Sequence, residues 1–311
     1  MLSICIGIYN WNVTRLVAEL HRQACSLSVD FEILLIDDGS KFFCEENALL
    51  VNLSHVRYIE NGVNTGRSAI RNKLACEAQF PYLLFMDCDT AVIRPDFLKS
   101  YVERFSPQEV ISGGYAYPDE KPDFPFRLRW YYGKRVEEVS AAKKNQNPYF
   151  SFSTFNFLIP KAIFNHLTFD ESLTGYGHED TLFGWQLKKM GIRIRHIDNS
   201  LLHEVKVETN IYLGQTEQAI ENLLKILQRI EDKEEWIEQI SLLRFVRKVE
   251  HCFLLRFLKI GFLVGKPFII RLLNSRCPSI NLFDLYKAGY LATCMCQKGV
   301  TLLGLKSVSD K

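Results

Sequence analysis

The sequence predicts an α/β fold: a mixed, mainly parallel sheet flanked by helices, followed by a helical C-terminal extension. Three observations lead to this prediction. Short apolar or β-branched runs alternate with stretches of helical period in the first third of the chain, which is typical of βαβ units. Turn-forming residues and acidic clusters follow several of these runs. Beyond Thr209 the pattern changes to amphipathic helix.

Composition narrows the class of protein. With 311 residues, 47% of them hydrophobic and 24% charged, the chain can bury one large core with an appended helical region. The formal net charge of +2 is too small to indicate a nucleic-acid partner. Nine cysteines without a CxxC pair favour reduced thiols over a zinc site or a disulfide framework.

The elements follow one another in a regular order at first. Predicted strands cover residues 3–8, 31–36, 56–60, 82–86, 110–115, 152–159 and 197–202, and predicted helices cover 11–26, 67–78, 160–165 and 178–190. The change of pattern places a boundary near Asn210, which gives an α/β domain over residues 1–210 and a helical region over 211–311.

Asp87-Cys88-Asp89 directly follows the apolar strand 82–86. In extended backbone the side chains of residues i and i+2 point the same way, so both carboxylates can address one ion. Oxygen ligands suit Mg²⁺ or Mn²⁺, which bridge carboxylates to phosphates. A chance DxD is the alternative, but its position at a strand end favours metal binding. His203, at the end of another predicted strand, is a candidate third ligand, although a lone histidine is more often structural.

Other polar clusters fall at predicted strand ends, where ligands bind in parallel α/β sheets. These are Tyr9-Asn10 and Asp37-Asp38. The loop that contains Asn64 leads into a helix that carries Arg67 and Arg71 on one face. Arginine forks and helix N-termini both suit phosphate, and a solvated helix face is the alternative.

Gly175-Tyr176-Gly177-His178-Glu179-Asp180 precedes a predicted helix. Two glycines permit unusual backbone angles, and the acidic pair offers a general base. The alternative is ordinary helix capping by Glu179 and Asp180, and both interpretations are compatible.

Together these motifs resemble the GT-A glycosyltransferases of family 2, over residues 2–203. The matching segments, in chain order, are 3–10, 36–40, 64–72, 87–89 and 179–180. Gly7 stands where the family usually has proline, and Ile70 where it has alanine. The context of Glu179-Asp180 is also similar to the chondroitin-polymerase and galactosyltransferase-like branch. A QxxRW motif is absent, so the resemblance implies non-processive addition of a single sugar.

The resemblance implies an inverting, metal-dependent transfer from a nucleotide-diphosphate sugar, with a UDP-sugar favoured, to a saccharide or lipid-linked saccharide. It makes residues 1–210 the nucleotide-sugar transferase domain and implies a Mn²⁺ or Mg²⁺ cofactor. By resemblance, Asp180 is the catalytic base and Glu179 lies nearer the acceptor. The implied metal ligands are Asp87, Asp89 and His203. The implied donor-binding residues are Tyr9, Asn10, Asp38, Asn64, Arg67, Arg71 and Asp87.

Three questions stay open at this point: the role of the tail, the role of an aromatic segment and the class of function. The absence of a signal peptide and of an uninterrupted apolar span predicts a cytoplasmic protein. The basic, apolar tail over residues 242–273 suits either an anionic inner membrane surface or packing as a helical subdomain. The aromatic segment over residues 124–132, which includes Trp130, Tyr131 and Tyr132, suits either a platform for an acceptor sugar or a core. A sugar nucleotidyltransferase and a non-catalytic nucleotide-sugar-binding module are the competing function classes.

Overall fold

A computed structural model describes residues 1–204 and 207–303 of the chain. Its strands are β1 (Leu2–Ile8), β2 (Phe31–Asp37), β3 (Val56–Glu60), β4 (Tyr82–Asp87), β5 (Thr90–Ala91), β6 (Glu109–Ser112), β7 (Tyr115–Ala116), β8 (Asn156–Pro160), β9 (Arg193–His196) and β10 (Leu201–His203). Its α-helices are α1 (Thr14–Cys25), α2 (Cys44–Ala48), α3 (Arg67–Glu77), α4 (Phe97–Val102), α5 (Arg127–Tyr132), α6 (Ala141–Lys144), α7 (Lys161–His166), α8 (Glu179–Lys189), α9 (Thr209–Arg229), α10 (Lys233–Gln239), α11 (Ser241–His251), α12 (Leu255–Leu273) and α13 (Ile280–Lys298). A 3₁₀-helix covers Leu49–Asn52 and a π-helical turn covers Gly133–Glu137.

The main sheet of the described chain has seven strands in the order β3-β2-β1-β4-β8-β6-β9. The first four run parallel to one another, and β8 runs antiparallel to both β4 and β6. The predicted mixed, mainly parallel α/β fold with C-terminal helices is therefore confirmed. The insertion of an antiparallel strand at β8 is a detail that the sequence pattern did not reveal.

Alternation along the central strands creates a core on each side of the sheet. Ile4 and Ile6 of β1 belong to one cluster, together with apolar residues of α1 and α4. Cys5 of β1 belongs to the other, together with apolar residues of α3, α7 and α8. Burial on both faces explains why these strands read as continuous apolar runs in the sequence.

A small second sheet has the order β5-β10-β7. Strand β10 pairs antiparallel with β5, so that His203 lies opposite Thr90. It also pairs parallel with β7, so that Leu202 lies opposite Ala116. Because Thr90 follows Asp89 directly, this pairing brings His203 to the DxD segment.

The chain divides into two compact units. The first comprises Met1–Asp119, Lys134–Thr174 and Glu179–Val205, and the second comprises Glu120–Gly133, Gly175–His178 and Lys206–Lys311. The second unit is helical, and its core includes Phe262, Phe283 and Tyr286. The functional division at residues 210 and 211 stays a prediction, and residues 304–311 of the predicted helical region lie outside the described residues.

Gly7 and Ile70, the two departures from the family pattern, lie against each other. A Cβ atom added to Gly7 would lie 3.2 Å from Cγ2 of Ile70 and 3.3 Å from its Cγ1. The larger side chain on α3 therefore occupies the space that a side chain at position 7 of β1 would need.

Gly7→Ala is expected to lower the free energy of unfolding by about 1–3 kcal/mol, because the new methyl group meets a tightly packed Ile70. The measurement is a double-mutant cycle by urea unfolding. In the Ile70→Ala background the same substitution should be neutral or stabilising, because the space is then free. An equal loss in both backgrounds would contradict the packing argument.

Candidate active site

The DxD segment forms a tight turn at the end of β4. Asp87 is the last residue of that strand, and its N–H donates to the carbonyl of Phe155 (3.1 Å). The Thr90 hydroxyl donates to the carbonyl of Asp87 (3.0 Å). The N–H of Glu204 donates to the carbonyl of Asp89 (3.0 Å). The turn is thus held by both sheets of the first unit.

Asp89 faces His203. The distance between Oδ2 of Asp89 and Nε2 of His203 is 3.1 Å, and Nδ1 of His203 lies 3.2 Å from the Tyr117 hydroxyl. That hydroxyl in turn contacts the carboxylate of Glu137. Burial opposes the Asp89 charge, but the hydrogen bond and charge of His203 and the charge of Arg67 outweigh it, so the pKa of Asp89 is lowered.

These two side chains suit a hard divalent cation in part. A carboxylate oxygen and an imidazole nitrogen are both ligand types that such cations accept, and here the two atoms are hydrogen-bonded to each other at 3.1 Å. Within residues 1–204 and 207–303, however, no group of three or more His, Cys, Asp and Glu side chains is arranged to hold a metal. Asp87 is instead bonded to Arg71.

Burial raises the pKa of the Cys88 thiol to about 12, so this residue does not supply a thiolate near neutral pH.

Arg71 connects the DxD segment to the acidic pair at the start of α8. Its side chain is 9% exposed, and Nη2 donates to Oδ1 of Asp87 at 2.8 Å. Nη1 lies 3.6 Å from Oε1 of Glu179, which is also buried. The guanidinium group also lies over the Phe169 ring, 5.7 Å from its centroid. Arg71 therefore binds two carboxylates of the site rather than presenting a free fork to a phosphate.

Asp180 has the electrostatic character of a general base. Its Oδ1 accepts hydrogen bonds from the N–H and the hydroxyl of Thr181, at 2.7 and 3.2 Å. Burial, and next the charge of Glu179, raise the pKa of Asp180 to about 7, although Thr181 and the charge of Arg71 oppose the shift. A carboxylate with this pKa accepts a proton far more readily near neutral pH than an ordinary aspartate does.

The two acidic motifs act on a common neighbour. Tyr115 is partly buried, and desolvation of its hydroxyl raises the pKa of that group well above the ordinary value, while the charges of Glu137, Asp180 and Asp87 raise it further. Asp87 and Asp180 therefore lie within electrostatic reach of the same group. The structure brings together the predicted residues Arg71, Asp87, Asp89, Glu179, Asp180 and His203 in the first unit.

Asp38 organises the loop before α3. Its Oδ1 accepts from the Asn61 side chain (2.9 Å), from the N–H of Thr65 (2.9 Å) and from the Thr65 hydroxyl (2.7 Å), and its Oδ2 accepts from the N–H of Gly66 (3.0 Å). The loop also packs tightly against the turn after β2. Gly39 has a φ of +76°, and a Cβ on it would lie 2.6 Å from the Asn64 nitrogen.

The other predicted donor-binding residues follow the end of β1 or lie at the start of α3. Tyr9 is 50% exposed. Asn10 accepts a hydrogen bond from the N–H of Lys41 through Oδ1 (2.7 Å) and donates its own N–H to the Ser40 hydroxyl (2.8 Å). Asn64 and Arg67 are exposed at the loop and at the first residue of α3. Their role toward a donor stays a prediction.

Two residues of the site were not anticipated from the sequence. Tyr117 and Glu137 extend the contacts of His203, but no local pattern marks them. Asp37 accepts from the N–H of Ser40 through Oδ1 (2.7 Å), whereas its buried Oδ2 has no hydrogen-bond partner among the described residues. The sequence showed the Asp37-Asp38 pair, but it did not show that the two carboxylates differ in their hydrogen-bond partners.

The aromatics at 130–132 are mainly packing residues of the second unit. Trp130 is buried, and Tyr132 packs against Tyr212 and Phe283. The core interpretation is therefore favoured for these two residues. In the same unit, the segment before α8 rests on α9: Asn222 donates to the carbonyl of Gly177 (3.2 Å), and a Cβ on Gly177 would lie 2.5 Å from that of Ala219.

Comparison with known proteins agrees with this geometry. The profile described as "Glycosyl transferase family 2" matches residues 3–168. The match covers more than half of the chain and contains the DxD segment and the Asp37-Asp38 pair. This chain belongs to glycosyltransferase family 2.

Curated relatives and solved structures are consistent with that membership. The chain is 27% identical to validoxylamine A glucosyltransferase from Streptomyces hygroscopicus. The aligned region covers 62% of this chain and 52% of that relative. It is 26% identical to chondroitin synthase from Escherichia coli, over 65% of this chain and 34% of that one. The chain thus spans about half or less of these relatives. The fold matches a mannosyltransferase from Pyrobaculum calidifontis, solved with GDP-Man and Mn²⁺, with a TM-score of 0.55 at 12% identity, over 94% of this chain and 86% of that one.

Arg71→Met is expected to lower the free energy of unfolding by about 3 kcal/mol, because it leaves the buried Glu179 carboxylate without its counter-charge. Urea unfolding near neutral pH measures this. Arg22→Met is the matched control, since Arg22 pairs with Glu19 on the surface with 63% of its side chain exposed, and its effect should be far smaller. Equal effects of the two substitutions would show that the Arg71 contacts contribute little.

Proposed function

We propose that this chain transfers a sugar from a nucleotide-diphosphate donor to a hydroxyl group of a saccharide or lipid-linked saccharide, with inversion at the anomeric carbon. One observation carries the proposal. Asp180 is a partly buried carboxylate with a pKa of about 7, and it follows Glu179, which Arg71 links to Asp87 of the DxD segment. A base and a diphosphate-binding segment at one site are what such a transfer requires.

The bond changes of the proposed reaction are simple. The acceptor hydroxyl gives its proton to the Asp180 carboxylate, and its oxygen forms a bond to the anomeric carbon. The bond between that carbon and the diphosphate oxygen breaks on the opposite face, and the nucleoside diphosphate leaves with the electron pair. Asp180 later releases the proton to solvent. Glu179 keeps Arg71 in place and raises the basicity of Asp180.

Asp89 and His203 are the residues that would hold a divalent metal, which supplies positive charge for the departing diphosphate. The neutral imidazole would bind through Nε2, so Nδ1 would carry the hydrogen and donate it to the Tyr117 hydroxyl, 3.2 Å away. The Mn²⁺ in the Pyrobaculum mannosyltransferase structure supports a metal in this fold. Asp87 contributes through its contact with Arg71, and its role as a ligand stays a prediction.

The donor's nucleoside would lie against the loop that Asp38 holds. Because Asp38 already accepts four hydrogen bonds from that loop, it would act by shaping the loop. Burial, and next the charge of Asp37, raise the pKa of the Tyr58 hydroxyl, so that hydroxyl lies beside the Asp37 carboxylate. Contact of Asp38 with the base of the donor stays a prediction.

The acceptor assignment rests on the relatives. One is named as a glucosyltransferase acting on validoxylamine A and another as a synthase of chondroitin, which supports an acceptor of carbohydrate type. A lipid-linked saccharide is the second form that we propose.

Thermal unfolding with UDP-, GDP- and dTDP-sugars, each with and without Mn²⁺, tests the donor class. We expect a UDP-sugar to raise the melting temperature most, and to do so more strongly with Mn²⁺. His203→Ala should remove the part of the shift that depends on Mn²⁺, whereas His166→Ala, an exposed histidine in α7, should preserve it. Stabilisation by none of the nucleotide sugars would refute the proposed function.

Asp180→Asn should lower the turnover number by roughly a hundredfold or more, because the amide cannot accept the acceptor's proton. The dissociation constant for the donor should stay within about twofold, since the substitution removes no contact proposed for the donor. Isothermal titration calorimetry measures the dissociation constant for the donor, and a coupled assay for nucleoside diphosphate release measures the turnover number. Asp119→Asn, at a fully exposed side chain, is the control. Substantial turnover in Asp180→Asn would exclude Asp180 as the base.

The pH dependence of the wild-type rate gives an independent check of the same assignment. The base works when deprotonated, so turnover should rise with pH through about 7 and then level off. An Asp180 of ordinary pKa would instead give a rate that is flat between pH values of about 5 and 8.

A further inference from the structure

Helix α12 exposes an unusually apolar face. Phe257 is 72% exposed, Ile260 58%, Val264 80% and Phe268 64%. Spacings of three and four residues place all four on one side of the helix, over a length of about 16 Å. We call these four side chains the α12 apolar face.

The opposite side of α12 is firmly packed inside the second unit. Phe262, Ile269 and Leu273 are buried there in the same core as Phe283 of α13. The packing is close, because a Cβ on Gly289 of α13 would lie 2.5 Å from the Phe262 ring. The exposed face is therefore a fixed surface of a docked helix and not the outcome of a loosely held segment.

The charged residues of α12 all have one sign. Helix α12 contains four basic and no acidic residues. Arg256 and Arg271, near its two ends, are exposed, and neither forms an ion pair within residues 1–204 and 207–303. Lys266 differs, because it turns inward to Glu217 (2.7 Å). The apolar row is thus bordered at both ends by exposed arginines.

We propose that the α12 apolar face binds an anionic lipid surface, with α12 lying in the plane of the headgroups. Apolar side chains would enter the region between headgroups and acyl chains while Arg256 and Arg271 contact lipid phosphates. Within residues 1–204 and 207–303, no helix is long and apolar enough to cross a membrane, so this contact is peripheral.

Charge also argues against a second copy of the chain as the occupant. In a twofold contact through α12, two faces that each carry arginines and no acidic residue would be brought together, and like charges would repel. An anionic bilayer supplies the opposite charge along the whole row and an apolar interior for the phenylalanines. The proposal stands apart from sugar transfer, because it concerns only where the protein lies.

Flotation of the full chain with vesicles tests it without any nucleotide sugar. We expect binding to phosphatidylcholine vesicles that contain about one third phosphatidylglycerol, and weak binding to pure phosphatidylcholine. Phe257→Ser/Phe268→Ser and Arg256→Glu/Arg271→Glu should each lower the bound fraction at least about tenfold. Phe42→Ser, at a phenylalanine of the first unit that is 62% exposed, and Lys143→Glu are the matched controls and should bind as the unchanged protein does.

Analytical sedimentation of the same variants tests whether the α12 apolar face binds a second copy of the chain instead of a lipid surface. A monomer whose vesicle binding falls only in the α12 variants supports the proposal. An oligomer that Phe257→Ser/Phe268→Ser dissociates, together with no binding to anionic vesicles at low salt, would make the face an interface between copies and overturn it. Equal vesicle binding by all variants would overturn it as well.

Discussion

The site depends on one buried guanidinium group. Arg71 lies between Asp87 at the end of β4 and Glu179 at the start of α8, with most of its surface removed from water. Each of the three charges would be unfavourable alone in such a place, and each is compensated by its neighbours. Because the strand end and the helix start carry the two carboxylates, the arginine fixes the distance between the segments.

This arrangement also explains why Asp180 differs from its neighbour. Arg71 pairs with Glu179, and its charge lowers the pKa of Asp180 by less than burial and the Glu179 charge raise it, so that this pKa is about 7. Glu179 therefore serves to hold Arg71, whereas Asp180 is present in comparable amounts of its protonated and deprotonated forms near neutral pH. Environment, and not residue type, separates their roles.

Much of the fold was accessible from the sequence, because central parallel strands and their helices carry strong local patterns. The acidic motifs at strand ends were accessible for the same reason. The small sheet was not, since two or three residues of β5, β7 and β10 give no periodicity, and their pairing joins Asp89 to a histidine 114 residues away.

The partners of individual side chains were less accessible still. An arginine fork fits a phosphate and a carboxylate equally well, so the sequence suggested a phosphate contact for Arg71, where the structure has Asp87 and Glu179. Likewise, nothing in Asp37-Asp38 distinguishes the carboxylate that the loop occupies from the one that retains an unpaired oxygen.

The contact between Gly7 and Ile70 bears on how motif mismatches are counted. Scored position by position, a missing proline in β1 and a missing alanine in α3 are two independent penalties against family membership. In space they are a single compensated exchange of volume, since what one position lacks the other fills. A divergent member of a family can therefore look more distant in a linear alignment than its packing makes it.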